Sequence, residues 1–221
     1  MEVFFMFENM QGFFESTIGH VVIIAVIVVF FAFILIPSKE ERENKSQKPD
    51  AKTLTISALL AALALGLGQL KLFEMPFGGT VTVFSMLPLA LCGYFLGTRR
   101  GVICGFVVGL LNLLFNPYVI HPVQLLVDYP FAFGALGLAG VFKDKKNGLA
   151  KGYILGLFVR YICAVLSGIV FFGSYAPEGF NAITWSLWYN FTYLAAEGIL
   201  TLIIISLSPV KNAFEGLKKS L

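Results

Sequence analysis

Apolar residues dominate this sequence and gather into long runs that are separated by short polar segments. A helix needs about 20 mostly apolar residues to cross the hydrocarbon core of a bilayer. Seven runs approach this length: residues 18–36, 54–70, 81–96, 102–115, 122–142, 149–172 and 185–207. The pattern therefore predicts an all-α membrane protein, in which the third and fourth helices are short.

A polar segment at residues 37–53 separates the first run from the other six. It carries nine charged side chains and two prolines, which is typical of a linker. The residues before the first run include three glutamates and no lysine or arginine, unlike a secretory signal peptide, so we expect a retained helix. The predicted organisation is an extra N-terminal transmembrane helix (1–37), a charged cytoplasmic linker (38–53), a six-helix membrane domain (54–210) and a cytoplasmic tail (211–221).

The composition excludes two classes of function. Hydrophobic residues make up 57% of the chain and charged residues 13%, whereas soluble domains carry about 25% charged residues. So few charges cannot cover a surface that faces water, which excludes a soluble globular enzyme. A net charge of +3 is too small to indicate nucleic-acid binding.

The basic residues predict an orientation, because lysine and arginine are kept on the cytoplasmic side of a membrane. With the N-terminus outside, fourteen of the 16 basic residues fall in cytoplasmic segments. Lys71 is the exception on the outside, and Arg160 lies within a span. We therefore expect a multi-pass protein with its N-terminus outside and its C-terminus in the cytoplasm.

Three charged residues lie deep inside predicted spans, where a charge costs about 2.5 kcal/mol or more and usually faces a cavity or a partner. Arg160 and Glu197 lie near the middle of the last two spans, which run antiparallel. They are expected either to form a structural ion pair or to face a ligand. Asp128 has no such obvious partner, which favours a ligand-binding role.

Two stripes of polar and aromatic residues predict a cavity. His121, Gln124 and Asp128 are spaced i, i+3, i+7, which is one face of a helix. Such groups are unfavourable against lipid, so the face should line a polar space. The last span carries a second stripe, formed by Trp185, Tyr189, Asn190, Tyr193 and Glu197. A carboxylate among aromatic rings suits a cationic, aromatic ligand.

Small residues recur at every fourth position in two helices, a spacing that lets helix backbones approach closely. We interpret Gly101, Gly105 and Gly109 as an internal packing seam. Ala58 and Ala62 belong to a smooth apolar strip, which is instead interpreted as a surface offered to another protein.

Catalytic and metal-binding motifs are absent from the sequence. It contains no H-E-x-x-H, no G-x-S-x-G and no nucleotide-binding G-x-x-x-x-G-K-[ST]. Its two histidines, His20 and His121, do not assemble a catalytic or metal centre, and its three cysteines fit buried, reduced thiols. We therefore expect no enzyme activity, no cofactor and no metal, and any ATP hydrolysis must come from other subunits.

A set of short motifs carries a family likeness. In order they are Gly78-Gly79-Thr80, Ser85-Met86-Leu87-Pro88, His121-Pro122-Val123-Gln124, Asp128-Tyr129-Pro130, Arg160-Tyr161, Ser167-Gly168, Phe172-Gly173-Ser174-Tyr175-Ala176-Pro177-Glu178-Gly179 and Tyr189-Asn190. Together they resemble the thiamine-specific substrate-binding component (S component) of energy-coupling factor transporters, over residues 53–208.

The resemblance implies a six-helix membrane fold, to which the first helix here is an addition. It also implies a vitamin-binding subunit of a bacterial cell membrane that works with a transmembrane coupling protein and two cytoplasmic ATPases. The ligand would lie near the outer face, and the small-residue strip Ala58-x-x-x-Ala62 would dock on the coupling protein.

The stripes and the resemblance together give the candidate ligand-binding residues. They are Asp128, Tyr129, Gln124, His121, Arg160, Tyr161, Phe172, Trp185, Tyr189 and Asn190. In the family, the carboxylate that matches Asp128 contacts the aminopyrimidine of thiamine.

Two positions depart from the family pattern. Ala164 stands where the family commonly has a histidine, and Phe172 stands where some members have a stacking tryptophan. These departures leave open a component for another thiamine-like or pyrimidine compound. A proton-coupled secondary transporter using Asp128, Arg160 and Glu197 is a further alternative, although no inverted repeat of the kind common in such transporters is found in the sequence.

Overall fold

The computed structural model describes residues 51–115 and 117–221, together with a few isolated positions between 16 and 32. Nearly all of the predicted N-terminal helix and of the charged linker therefore lies outside the described residues. Within the described ranges, five helices are long and apolar enough to cross a membrane, and a sixth apolar helix is shorter. This confirms the predicted all-α membrane fold.

The described elements follow one another in a simple order. They are α1 (Ala51–Gly68), β1 (Lys71–Glu74), β2 (Thr80–Thr82), α2 (Leu87–Leu96), α3 (Thr98–Phe115), α4 (Pro122–Phe142), α5 (Gly148–Phe171), α6 (Ala182–Ser206) and α7 (Ser208–Ser220). The strands β1 and β2 form an antiparallel hairpin between the first two helices of the core.

The predicted span at 81–96 is wrong in its first half. Its first two residues belong to β2, because Thr80–Thr82 pairs with β1, and Phe84 then adopts a positive φ of 57°. The helix starts only at Leu87, with Pro88 in its first turn, where a missing N–H has no cost. Residues 81–86 are therefore part of the hairpin and its connection to α2, not of a transmembrane helix.

The glycine seam of α3 packs against α4, which confirms the interpretation of Gly101, Gly105 and Gly109 as internal. A Cβ atom added at Gly105 would run into the carbonyl oxygen of Phe133, and one at Gly109 would lie 2.5 Å from that of Tyr129. Both obstacles are backbone atoms of α4, which cannot move away as a side chain can. Because these glycine positions of α3 carry no side chain, the backbones of α3 and α4 can lie this close together.

Helix α4 contains a π-helical turn at Val127–Phe131, which includes Asp128 and Pro130. Proline in a regular α-helix loses one hydrogen bond and clashes with the carbonyl four residues earlier. A wider turn relieves this clash, and such turns are often found at functional sites. The turn places Asp128 in the interior of the bundle.

The last helix lies across the end of the bundle that carries the loop between α4 and α5. The Lys211 amine donates to Asn147 Oδ1 over 2.8 Å, and Lys218 pairs with Asp144 at 3.2 Å. The Lys218 amine also lies 4.7 Å from the centre of the Tyr94 ring, on α2. These contacts join the C-terminal residues to the basic end of the molecule.

Candidate ligand-binding site

A cavity of about 420 Å³ opens at the other end of the bundle, and its volume is within the range of small-molecule sites. The carboxyl ends of α1, α3 and α5 and the amino ends of α4 and α6 meet there. Lining residues near these ends include Gly68, Asn112, Gln124, Gly168 and Trp185. The β-hairpin contributes to the same wall.

Asp128 lines the cavity with one carboxylate oxygen already engaged. Its Oδ2 accepts hydrogen bonds from Gln124 Nε2 at 2.7 Å and from Ser167 Oγ at 2.8 Å. Among the described residues, no donor reaches its other oxygen, Oδ1. The carboxylate is thus held in place from α4 and α5 and keeps one acceptor for a ligand.

Gln124 and Tyr129 also line the cavity, but their polar atoms hold a neighbouring loop. Gln124 Nε2 donates to the carbonyl of Tyr118 at 3.0 Å, and its Oε1 accepts from the amide of Ile120 at 3.2 Å. Tyr129 Oη accepts from the amide of Tyr118 at 2.8 Å. Gln124 and Tyr129 thus lie where the sequence predicted a cavity. Tyr118, which also lines it, was not among the predicted residues, because its loop position gave no periodic signal.

Stacked rings form one side of the cavity. The Tyr118 and Phe172 rings lie 5.8 Å apart and are nearly parallel, with an angle of 16° between their planes. Tyr175 follows at 6.1 Å from Phe172 and packs against Phe77 of the hairpin turn at 4.9 Å. Phe77 and Tyr175 were missed as well, because both lie in short turns outside the predicted helices.

The opposite side of the cavity is formed by α6. Trp185 and Tyr189 both line the cavity, and their rings lie 5.5 Å apart. Tyr189 Oη accepts a hydrogen bond from the Gly79 amide and donates one to the carbonyl of Pro76. Trp188 points the other way, with 57% of its surface exposed. The predicted stripe on α6 therefore does face the cavity.

The predicted ion pair between Arg160 and Glu197 does not form. The Glu197 carboxylate is 3% exposed and accepts four hydrogen bonds: from the Thr82 amide and hydroxyl, the Ser85 hydroxyl and the Met86 amide. These donors come from the end of the hairpin and the start of α2. They stabilise the buried carboxylate without a cation, and sequence reasoning could not foresee them.

Arg160 instead faces the cavity from α5. Its guanidinium carbon lies 4.3 Å above the centre of the Phe133 ring, a cation–π contact. One of its terminal nitrogens, Nη1, is buried without a hydrogen-bond acceptor. Buried polar groups are almost always paired in proteins, so this donor is suited to an acceptor atom of a ligand.

Asn190 lines the cavity while bridging α5 and α6. Its Nδ2 donates to the carbonyls of Ser186 and Ala164 at 2.9 and 3.2 Å, and its Oδ1 accepts from Tyr193 Oη at 3.0 Å. Ala164 itself lines the cavity, where its methyl group leaves space.

Two predicted ligand residues lie outside the cavity lining. His121 is the N-cap of α4: its Nδ1 accepts from the Val123 amide at 3.1 Å, and its ring stacks on Phe171. A cap residue has extended backbone angles, so His121 does not share the helical face of Gln124. Tyr161 donates to the carbonyl of Leu187 at 3.1 Å and fixes the α5–α6 contact.

Metal chemistry finds no support in the part of the chain that the structure describes. No group of three or more histidine, cysteine, aspartate or glutamate side chains lies close enough there to hold a metal ion. Cys92, Cys104 and Cys163 are buried and unbridged.

Comparison with known proteins finds similarity both in sequence and in structure. A family model described as thiamine transporter protein matches residues 54–214. The thiamine transporter ThiT of Bacillus subtilis is 35% identical over 161 residues, which cover 66% of this chain and 83% of that protein. ThiT of Lacticaseibacillus paracasei is 29% identical over 170 residues, covering 67% and 82%. The solved structure of ThiT from Listeria monocytogenes is 24% identical, covers 71% of this chain and 94% of that one, and has a TM-score of 0.58, which shows a shared fold.

Proposed function

The chain belongs to the thiamine transporter protein family, and from this premise we propose that it is the substrate-binding component of an energy-coupling factor transporter. In this role it captures thiamine at the outer face of a bacterial cell membrane. Thiamine joins an aminopyrimidine, which both donates and accepts hydrogen bonds, to a cationic thiazolium ring.

The observation that carries the proposal is the half-engaged carboxylate of Asp128 in an aromatic cavity. Its free oxygen is an acceptor for the amino group of the ligand, and charge-assisted bonds of this kind are about twice as strong as neutral ones. Flat aromatic surfaces at Phe172 and Trp185 suit the two rings of thiamine, one of them positively charged. The unpaired Nη1 of Arg160 is a donor for a ring nitrogen.

The proposed orientation places the cavity outside. It lies at the end of the bundle opposite Arg99, Arg100 and the lysine-rich loop between α4 and α5, and basic residues favour the cytoplasmic side. The C-terminus is then cytoplasmic.

The proposed partners are a transmembrane coupling subunit and two cytoplasmic ATPases. The sequence lacks a nucleotide-binding motif of its own, so energy for uptake has to come from other chains. Helix α1 offers a surface for contact, since Ala58 and Ala62 are both exposed and lie one turn apart. The protein then has no enzyme activity of its own.

Ala164 supports a second candidate ligand within the same class. The space above its methyl group favours a thiamine-like or pyrimidine compound with a substituent at that position. Mass spectrometry of ligands that remain bound through purification in detergent separates the two candidates.

Titration calorimetry tests the proposal directly. Thiamine is expected to bind with a Kd in the nanomolar to low-micromolar range, and Asp128→Asn is expected to weaken it at least about tenfold, or about 1.4 kcal/mol. Asp144→Asn is the matched control, because that carboxylate lies at the other end of the molecule. A wild-type protein that binds only another pyrimidine would reassign the ligand, and equal affinity in Asp128→Asn would remove the carboxylate from the site.

A further inference from the structure

Gln124 is one of the most completely buried side chains of the bundle, and each of its polar atoms is engaged. It lies in the first turn of α4 and is 1% exposed. Its Nε2 carries two hydrogens, which reach Asp128 Oδ2 and the Tyr118 carbonyl, and its Oε1 accepts from the Ile120 amide. No capacity remains for a direct bond from its Nε2 to a ligand.

The bonds of Gln124 join two separate parts of the cavity wall. One part is the Asp128 carboxylate, and the other is the Tyr118 backbone, whose amide is held at the same time by Tyr129 Oη. The Tyr118 ring is then fixed against Phe172, nearly parallel at 5.8 Å. The charged acceptor and the stacking surface of the cavity are thus connected through one buried amide.

We propose that Gln124 is a positioning residue that sets the ligand-facing oxygen of Asp128 and the Tyr118 ring at the same time. By holding Oδ2, it leaves Oδ1 directed at the ligand; by holding the Tyr118 carbonyl, it keeps the ring in its stack. This inference rests on the proposed function of the cavity and assigns Gln124 no contact with the ligand itself.

Only an amide of this length can make all three bonds. Methionine has a similar length but no hydrogen to donate. Glutamate can still accept from the Ile120 amide, but it would place a second carboxylate beside Asp128 and an acceptor against the Tyr118 carbonyl. The two substitutions therefore separate the three bonds experimentally.

A double-mutant cycle tests whether Gln124 acts through Asp128. Gln124→Met alone is expected to weaken thiamine binding at least about tenfold. In the Asp128→Asn background, the same change is expected to weaken it by less than about twofold, because the group that Gln124 positions is already altered. The proposal would be overturned if Gln124→Met weakened thiamine binding by the same factor in the wild-type and Asp128→Asn backgrounds.

Hydrogen exchange of the peptide that carries Ile120 gives a readout that needs no ligand. Gln124→Met is expected to speed its exchange, whereas Gln124→Glu keeps it slow and still loses binding. Gln69→Met is the matched control, since Gln69 is exposed and its side chain bonds back to the carbonyl of Leu65 on α1, away from Asp128 and Tyr118. This control variant should change neither the exchange rate of the Ile120 peptide nor the affinity for thiamine.

The two readouts separate failure of the inference from failure of the proposed function. A wild-type protein that binds no thiamine contradicts the function, and exchange at Ile120 still tests the positioning. Unchanged exchange in Gln124→Met, or wild-type affinity in Gln124→Glu, contradicts the positioning role even when thiamine binds.

Discussion

The phenolic oxygen of Tyr189 accepts the amide hydrogen of Gly79 at 2.8 Å, and its own hydrogen points to the carbonyl of Pro76. One side chain of α6 thus holds both sides of the hairpin turn, 110 residues earlier in the chain. A Cβ atom at position 79 would lie 2.6 Å from that oxygen, so the contact needs glycine. The hydroxyl of Tyr189 thus holds the hairpin turn at the wall of the cavity.

Removing the Tyr189 hydroxyl should loosen the hairpin without emptying the cavity wall. Tyr189→Phe keeps the ring and loses both bonds, which are each worth about 1 kcal/mol net. Limited trypsin digestion should therefore cut faster after Lys71, the basic residue of β1. Tyr161→Phe, which loses a hydroxyl bond between α5 and α6, should leave this rate unchanged. Equal rates for Tyr189→Phe and wild type would show that the turn is held by packing alone.

Because Arg160 and Glu197 form no ion pair, the effects of their variants on stability are expected to add. Glu197→Gln replaces one acceptor oxygen with an NH2 group, which then faces the donor hydrogens of Thr82, Ser85 or Met86. Because these donors lose their acceptor, the free energy of unfolding should fall by at least about 2 kcal/mol. Arg160→Met combined with Glu197→Met should equal the sum of the single changes within about 0.5 kcal/mol. Denaturant titration in detergent measures these values. Recovery of stability in the double variant would instead reveal an ion pair.

The α3–α4 seam should tolerate no side chain. Gly105→Ala places a methyl group against the Phe133 carbonyl and should lower the free energy of unfolding by about 1–3 kcal/mol. Gly66→Ala is the control, because a Cβ atom there meets nothing within 4 Å, and alanine favours a helix by up to about 1 kcal/mol. The two changes should therefore move the thermal midpoint in opposite directions. If both variants shifted the thermal midpoint in the same direction, the close contact between α3 and α4 would not lie at Gly105.

Ala58 and Ala62 should matter for assembly and not for ligand binding. Both are exposed, and only Ala64 of α1 is buried. Ala58→Trp or Ala62→Trp should keep thiamine affinity while abolishing co-purification with the coupling subunit and uptake. Leu63→Trp, an exposed position on another face of α1, should assemble normally. Loss of ligand binding in the alanine variants would point to packing within this chain.

The membrane orientation can be measured with single introduced cysteines. The three native cysteines are buried, so they leave a low background. Glu178→Cys, in the loop beside the cavity, should react with an impermeant reagent added outside intact cells. Lys146→Cys, in the basic loop, should react only after the cells are opened. The reverse pattern would invert the proposed orientation.

Local periodicity was enough to predict many of the residues that line the cavity. Gln124 and Asp128 are four residues apart on α4, so helix geometry alone places them on one face. The stripe through Trp185, Tyr189 and Tyr193 was predicted in the same way, and all of these side chains line the cavity. The glycine seam was equally visible, because its spacing matches the helical repeat.

Contacts between distant segments could not be predicted in this way. The donors to Glu197 lie 111 to 115 residues earlier in the chain, in a hairpin that the apolar pattern read as part of a helix. His121 fits the polar stripe by spacing, but it precedes the first helical residue and therefore caps α4. The sequence shows which residues share a helix face and does not show where loops return to it.

The two tryptophans of the chain report on different surroundings. Trp185 lies in the cavity wall beside Tyr189, while Trp188 is 57% exposed on the outer surface of the same helix. Excited indole donates an electron readily to a nearby electron-poor ring, and this transfer quenches its fluorescence. A bound thiazolium would therefore quench the fluorescence of Trp185 and leave that of Trp188 unchanged. With the proposed ligand, we therefore expect Trp185 to report occupancy of the cavity by fluorescence, with Trp188 as an internal reference and no attached dye.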